Sequence, residues 1–304
     1  MPSPAVPQGA GASGRRRLGI GHLTMLDVSP PELVGAAAAA GFDFVGFRVC
    51  AGGPGEQLWP LAPGSPMLRE TLRRLDDTGL TVNEIDVIPL RSTTTLADVA
   101  PALATAAALG AGYAITFIED DDLDRAGDTL ALLAPAAAEH GLRILIEPMA
   151  YKQVRSFAQA LRLIDRAPGC GIMIDPLQLH RGGDTLDAVR ALDPALVPVM
   201  QLCDGPLQQP EFLTCPGPLP RGQAPGTSVG QLEARAWRRP VGEGDLPLAE
   251  LVNILPGVPI SIEAPNLGLS RLLDPVELAH RHMTGLARVV AATDRPAAAH
   301  RTAG

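Results

Sequence analysis

The fold is decided by four short stretches of the sequence: RILIEPM (143–149), GIMIDPL (171–177), VPVMQLCD (197–204) and VPISIEAP (258–265). Each is an apolar run of strand length with an acidic or amide residue near its end. Runs that are apolar on both alternating faces are typical of parallel strands, which have helices outside them and packed side chains inside. The four stretches therefore predict buried parallel strands with polar side chains at their carboxyl ends.

The same strand pattern occurs four times earlier in the chain, at LGIGHLTM (18–25), FDFVGFRV (42–49), LTVNEIDVI (80–88) and YAITFI (113–118). Helical stretches rich in Ala and Leu alternate with these strands. The first of them begins at Ser29, an N-cap followed by two prolines, and stops at Gly41. The others are predicted at 66–78, 95–109, 124–141, 153–166, 184–191, 247–254 and 274–292.

Alternating strands and helices of this number predict a closed (β/α)₈ TIM barrel in one domain, covering residues 17–293. No GxGxxG sequence follows the first strand, which weakens a dinucleotide-binding doubly wound sheet. Residues 1–16 are predicted to be a disordered leader rich in Pro, Gly and Ala, and 294–304 a loose tail. The short apolar run after the basic triplet 15–17 has no small-residue cleavage site, so we expect a cytoplasmic protein.

Charge and hydropathy restrict the class of partner. The chain has 33 acidic and 25 basic residues, a net charge of −8, which argues against a nucleic-acid or anionic-membrane partner. No stretch approaches the ~18 to 20 consecutive apolar residues that span a bilayer. A small polar or anionic substrate remains, and the sequence leaves open whether the protein is a homo-oligomer.

One connection is much longer than the others. Residues 205–245, between strands seven and eight, are rich in Pro, Gly and Gln. Loops of this length in a compact domain are uncommon and are either functional or disordered. Because this one leaves the carboxyl end of a strand, we expect a lid or substrate gate, with an insertion of no role as the alternative.

The late strands carry the candidate chemistry: Glu147, Asp175, Gln201 and Glu263 stand near the ends of strands five to eight. A single such residue would be interpreted as a helix cap or a surface charge. Four on successive strands converge on one barrel mouth, where crowded carboxylates need a cation. Oxygen ligands without a thiolate favour one divalent ion, Mn²⁺ or Mg²⁺, with Co²⁺ tolerated.

At these residues the chain resembles the sugar-phosphate isomerase/epimerase family, the xylose-isomerase-like barrels. The resemblance extends from about Leu18 to Ala292 and is carried by SPPELVGAAAAAGFDFVGFRV, LIEPM, IMIDPLQLHRGGD, MQLCDG, RAWRRPVGEGDLPL and ISIEAPN. It implies a metal held by Glu147, Asp175, a histidine and Glu263. Here Gln201 replaces the histidine, as it does in the hydroxypyruvate isomerase-like members, and the loss of a nitrogen ligand favours Mg²⁺ or Mn²⁺.

The same resemblance implies residues that contact the substrate. The family often has His three residues after the strand-six Asp, and this chain has Gln178 there. His180 follows two residues later and either substitutes on the same side of an extended backbone or is a loop residue. Arg238 stands where the family places a substrate-binding arginine, with a solvated basic cluster as the alternative.

Two further residues follow from position alone. Arg48 ends an apolar strand, so its guanidinium either meets a carboxylate or phosphate of the substrate or forms a salt bridge at the barrel mouth. Asp204, three residues beyond Gln201, either orients a metal ligand from behind or caps a loop.

The resemblance implies a metal-dependent isomerase or epimerase that acts on a small keto-sugar or hydroxy-keto acid. The reaction passes through a metal-stabilised enediolate, with Glu147 and Glu263 as the acid/base pair. A metal-dependent dehydratase or lyase, similar to the dehydroshikimate or keto-inositol dehydratases, is the alternative, because the same fold supports both. A nucleic-acid-acting relative of the endonuclease-IV type is disfavoured by six histidines, few of them at strand ends, and 3% aromatic residues.

Overall fold

The computed structural model describes residues 15–293, within which the chain forms eight parallel strands and eleven α-helices. The strands are β1 (Leu18–Gly21), β2 (Phe44–Arg48), β3 (Thr81–Leu90), β4 (Tyr113–Ile118), β5 (Arg143–Ile146), β6 (Gly171–Ile172), β7 (Met200–Leu202) and β8 (Ile260–Ile262). The helices are α1 (Pro30–Ala40), α2 (Pro66–Thr78), α3 (Leu96–Leu109), α4 (Leu123–Glu139), α5 (Phe157–Arg166), α6 (Pro176–Gly182), α7 (Leu186–Arg190), α8 (Val229–Ala236), α9 (Leu248–Ile254), α10 (Leu267–Leu272) and α11 (Pro275–Thr293).

The strands close into a barrel. Their order is β6-β5-β4-β3-β2-β1-β8-β7, and every adjacent pair is parallel. A parallel bridge between Ile174 and Met200 joins the two ends of this sheet, and the Gln201 N–H donates to the Ile174 carbonyl at 2.9 Å. The predicted single-domain TIM barrel is confirmed.

Local sequence signals place the helix ends. At the start of α1, Ser29 and Glu32 form a capping box, in which the Ser29 N–H donates to Glu32 Oε2 at 3.1 Å. The helix ends at Gly41, whose φ of 84° lies in the left-handed region that a residue with a Cβ adopts only at a cost. Because these signals are local, the first helix could be predicted to within one residue.

Several strands are shorter than predicted. β1 ends at Gly21, not residue 25, because a 3₁₀ turn covers His22–Met25. β6 has two residues instead of seven, since α6 begins at Pro176 with Asp175 as its N-cap. The connection 205–245 contains α8 and a 3₁₀ turn at Pro220–Gly222, so it is not an irregular loop throughout.

The predicted leader and tail lie almost entirely outside the described residues. Residues 15 and 16 are the exception, and both contact the barrel. Arg15 pairs with Asp43 at 2.5 Å, and the Arg16 guanidinium donates to the backbone carbonyl of Val258 at 2.6 Å. Among residues 15–293, no helix combines the length and apolar character needed to cross a bilayer.

Candidate metal centre and substrate cavity

Strand alternation positions the candidate ligands. In each late strand an inward side chain packs in the barrel interior, and the residue two positions later lies one layer higher, at the mouth. The pairs are Leu145 and Glu147, Met173 and Asp175, Val199 and Gln201, and Ser261 and Glu263. Leu145, Met173 and Val199 belong to an apolar cluster inside the barrel, whereas the intervening Ile146, Ile174 and Met200 pack outside against the helices.

Three carboxylates meet at this mouth. Glu147, Asp175 and Glu263 are 2 to 4% exposed, and one oxygen from each lies within 4.8 Å of the others. Backbone bonds fix two of them beyond the strand ends, since the Glu147 N–H donates to Thr116 O and the Glu263 N–H to Leu202 O. We call Glu147, Asp175, Gln201 and Glu263 the floor of the cavity.

Crowding of the floor perturbs its acids. Burial raises the pKa of Glu147 well above its usual range, and the neighbouring Glu263 and Asp175 add to the effect. Burial also raises the pKa of Glu263 to about 7, against the lowering effect of Arg238. Both shifts have the same cause: negative charge in a buried site is unfavourable unless a cation compensates it.

The floor also has buried oxygens without a partner. The Gln201 amide N–H donates to Glu263 Oε1 at 3.0 Å, which directs the amide oxygen away from that carboxylate. Gln201 Oε1 and Glu147 Oε1 are both buried and accept no hydrogen bond from residues 15–293. Unpaired buried acceptors are costly, and a divalent cation satisfies them. The donor set therefore fits an oxygen-bound metal ion.

Arg238 enters the floor from the long connection. Its side chain is 2% exposed, and its Nη1 contacts Asp175 Oδ2, Glu263 Oε2 at 3.3 Å and the Glu263 carbonyl at 2.7 Å. The Nε atom donates to Ala234 O at 2.9 Å. Arg238 is thus not part of a solvated basic cluster: it neutralises part of the charge of the floor.

Gln178 and His180 are separated by the fold. Gln178 is buried below the cavity wall, where its amide oxygen accepts from the Ala150 N–H at 3.1 Å and its nitrogen reaches the Tyr151 hydroxyl at 3.4 Å. His180 lies on α6 in a separate crevice against α7 and α9. Because α6 begins at Pro176, the backbone here is helical, so residues 178 and 180 do not share a side. The structure does not bring His180 to the cavity.

Arg48 and Asp204 have partners within the protein. Arg48 lines the cavity but is engaged by Glu56 at 2.7 Å and Asp86 at 3.4 Å, the salt bridge expected as its alternative. Asp204 accepts hydrogen bonds from the backbone N–H groups of Gly205, Gly242 and Leu246. It therefore ties the two ends of the long connection together and does not contact Gln201.

A cavity of about 230 Å³ lies over the floor. Its wall includes residues that the sequence analysis missed: Glu56, Asp86, Glu119, Tyr151 and Lys152. Asp86 follows Glu84 by two on β3 and Glu119 directly follows β4, so the alternation rule applied to the earlier strands would have found both. Glu56 lies in a loop without any such signal.

The long connection covers one side of the cavity. Residues 223–238 contribute Gln223, Thr227, Gln231, Arg235 and Arg238 to its wall. Half of this stretch is α8, which begins with a capping box at Ser228.

Comparison with known proteins relates this architecture to a family. The sequence model of the xylose isomerase-like TIM barrel family matches residues 34–286. No curated protein matches the sequence significantly.

Three solved structures share the fold of this chain at low sequence identity. A xylose isomerase-like TIM barrel/4-hydroxyphenylpyruvate dioxygenase fusion protein has 20% identity over 92% of this chain, with a TM-score of 0.71, and this chain spans only 43% of it. The IolI protein, whose structure holds a zinc atom, has 15% identity over 91% of this chain and 99% of its own, with a TM-score of 0.68. L-ribulose 3-epimerase has 15% identity over 94% of this chain and 100% of its own, with a TM-score of 0.66.

Proposed function

Because the chain belongs to the xylose isomerase-like TIM barrel family, we propose that it is a divalent-metal-dependent isomerase or epimerase. Its substrate is a small keto-sugar or hydroxy-keto acid. The ion is Mn²⁺ or Mg²⁺, with Co²⁺ also accepted, and Glu147, Asp175, Gln201 and Glu263 hold it. Glu147 and Glu263 are also the acid/base pair.

The convergence of three buried carboxylates within 4.8 Å carries this proposal. Buried like charges at this separation require compensation, and Arg238 supplies only one positive charge. The unpaired oxygens of Glu147 and Gln201 are additional ligands of the type that hard cations prefer.

A bound divalent ion supplies Lewis-acid polarisation of the substrate carbonyl and so acidifies the neighbouring C–H bond. The protein moves the proton. Glu147 would take a proton from carbon through the carboxylate oxygen that does not hold the ion, and Glu263 would return one.

Other residues position the substrate and exclude water. Arg48 and Asp86, held together by their ion pair, present a fixed donor and acceptor to substrate hydroxyls on one wall. Asp86 Oδ1 is buried, has no hydrogen-bond partner among residues 15–293 and is available as the acceptor. The long connection forms another part of the wall, where residues 223–238 cover the cavity against solvent.

The test combines chelation with hydrogen exchange. The purified protein is freed of metal with EDTA and reloaded separately with Mn²⁺, Mg²⁺, Co²⁺ or Zn²⁺. Each form is then incubated in D₂O with D-fructose, D-xylulose, D-ribulose or hydroxypyruvate. We expect the metal-loaded protein to introduce deuterium next to the carbonyl of at least one compound, as measured by NMR, and the chelated protein to introduce none.

Two results would contradict the proposal. The first is undiminished exchange by protein that elemental analysis shows to be free of metal. The second is release of water from the substrate without isomerisation or epimerisation, which identifies a dehydratase.

A further inference from the structure

The outer wall of the cavity differs in charge from its floor. Glu119, Lys152 and Arg235 line this wall, Arg91 is joined to it through Glu119, and we call these four residues the rim cluster. Arg91 pairs with Glu119 Oε2 at 2.7 Å and Lys152 pairs with Glu119 Oε1. Within residues 15–293, Arg235 has no carboxylate partner. The rim cluster thus holds three cations and one carboxylate in a chain whose net charge is −8.

Lys152 shows that these charges affect one another. Its side chain is 8% exposed, and its ammonium lies 4.1 Å from the centroid of the Phe117 ring. Burial lowers the pKa of Lys152, the ion pair with Glu119 opposes this, and Arg235 and Arg91 add to the lowering. An anion bound beside these cations would relieve their mutual repulsion.

Arg235 keeps donors available towards the cavity. It lies in the last turn of α8, and its Nη1 donates to the Ala224 carbonyl at 2.7 Å. This bond orients the guanidinium and uses one of its five N–H groups. The planar donor pair of an arginine matches the geometry of a carboxylate or phosphate.

Tyr151 adds a neutral donor between the floor and the rim cluster. Its hydroxyl accepts from the Gln178 amide at 3.4 Å, which leaves the phenolic proton to be donated. Tyr151, Lys152 and Arg235 all line the cavity, as do the floor residues Glu147 and Glu263. A single small molecule can therefore contact both regions.

We propose that Arg235, Lys152 and Tyr151 form a subsite for a terminal anionic group of the substrate, a carboxylate or a phosphate ester. The inference rests on the proposed function, which places the carbonyl end of the substrate at the floor. The substrate class is then a short polyhydroxylated chain with an anion at the end opposite to its carbonyl. A cavity of about 230 Å³ is below the ~300 to 1,000 Å³ of common ligand pockets, which suits a molecule of this size.

The experiment uses three probes of equal carbon number: xylitol, D-xylonate and xylitol 5-phosphate. Their affinities for the Mn²⁺-loaded protein are measured by isothermal titration calorimetry. We expect at least one anionic probe to bind about tenfold more tightly than xylitol, because a hydrogen-bonded ion pair is added. The arm that shows the gain identifies carboxylate or phosphate as the preferred group.

Variants locate the gain. Arg235→Gln should remove most of the anion preference while the affinity for xylitol remains within about twofold, and Arg235→Lys should recover part of the preference. Lys152→Gln, which alters a different side chain of the subsite, should also reduce the preference for the anionic probes. Arg239→Gln is the matched control, since Arg239 is an exposed arginine on the same connection that pairs with Asp245 outside the cavity, and it should keep the full preference.

The proposal is overturned if the anions gain no advantage over xylitol, whether all three probes bind or none does. It is also overturned if Arg235→Gln keeps the preference, or if it loses xylitol and anion affinity equally, because that result indicates a structural effect. A Mn²⁺ titration reports separately on the floor. Protein that binds no Mn²⁺ but still prefers the anionic probes contradicts the proposed function and leaves the anion subsite standing.

Discussion

The floor and the rim cluster of one cavity are built in opposite ways. The floor collects residues from successive strand ends, and within the described part of the chain its three carboxylates have one ion-pair partner, Arg238. The rim cluster collects residues from loops and from α8, and its cations outnumber Glu119. The barrel scaffold fixes the floor through backbone ladders. In the rim cluster Arg91 and Glu119 directly follow β3 and β4, whereas the position of Arg235 depends on how the long connection folds back over the barrel.

The difference shows that the two ends of a small site can bind groups of opposite charge. Surplus negative charge at the bottom attracts a cation, and surplus positive charge at the outer wall attracts an anion. A substrate with a carbonyl at one end and an anion at the other would be oriented by these two fields before any specific contact forms. If the floor is a charge-compensated cluster, replacing its members should change stability and rate, and replacing a residue outside it such as His180 should not.

Replacing Arg238 should have the largest effect. Arg238→Met leaves the buried Asp175 and Glu263 without their cation, so we expect the unfolding free energy of the chelated protein to fall by about 3 to 5 kcal/mol at pH 8. Saturating Mn²⁺ should recover much of this loss, because the ion replaces the missing positive charge. Chemical denaturation with and without Mn²⁺ measures both quantities.

Arg48→Met is the control for this prediction. Arg48 is also buried and paired, but its partners are Glu56 and Asp86, outside the three-carboxylate cluster. Its loss should not be recovered by Mn²⁺. If Mn²⁺ rescues both variants equally, or neither, the compensation assigned to Arg238 is wrong.

The unfolding free energy of the metal-free protein should change with pH by an amount similar to the effect of Arg238→Met. A carboxyl group whose pKa is higher in the folded than in the unfolded chain binds its proton more tightly when folded. Its stabilising contribution is therefore present at low pH and lost as the pH rises. With the pKa of Glu263 raised from 4.5 to about 7, the loss between these pH values is on the order of 3 kcal/mol.

The measurement compares the chelated wild type with Glu263→Gln across pH 4.5 to 8. The difference in unfolding free energy between them should shift against the wild type as pH rises, and saturating Mn²⁺ should reduce the shift. A constant difference over this range would show that Glu263 titrates normally.

Removal of the acid/base pair should cost about 10²-fold in rate, equivalent to about 2.7 kcal/mol. Glu147→Gln and Glu263→Gln each keep the shape of the side chain but lose a titratable oxygen. Deuterium incorporation under metal saturation measures the rate. Glu147→Gln should not lower the melting temperature of the chelated protein, since it removes one of three crowded carboxylates. A rate close to that of the wild type in either variant contradicts the assignment.

The smallest effect is expected at His180. Because this side chain lies in a separate crevice, His180→Asn should change the rate by less than twofold and the stability by less than about 0.5 kcal/mol. Gln178→Ala, the matched comparison, removes buried hydrogen bonds to Ala150 and Tyr151 and should cost about 1 to 3 kcal/mol of stability. A tenfold loss of rate in His180→Asn would extend the site beyond the floor and the rim cluster.

The sequence by itself determined the barrel and its floor. A polar residue near the end of an apolar run is a local feature, so Glu147, Asp175, Gln201 and Glu263 could be placed at the strand ends from the sequence. The helix caps at Ser29 and Gly41 are equally local.

The tertiary structure alone decided which charges meet. Arg238 and Asp175 are far apart in the sequence, and nothing in their neighbourhoods specifies that they touch. The role of Asp204 was determined only by the return of the connection, which brings the N–H donors of Gly242 and Leu246 to its carboxylate. The pairing of Lys152 with Glu119, and the position of Arg235 beside them, likewise follow from loop closure and packing. Such contacts depend on the three-dimensional path of the chain, which residue spacing does not encode.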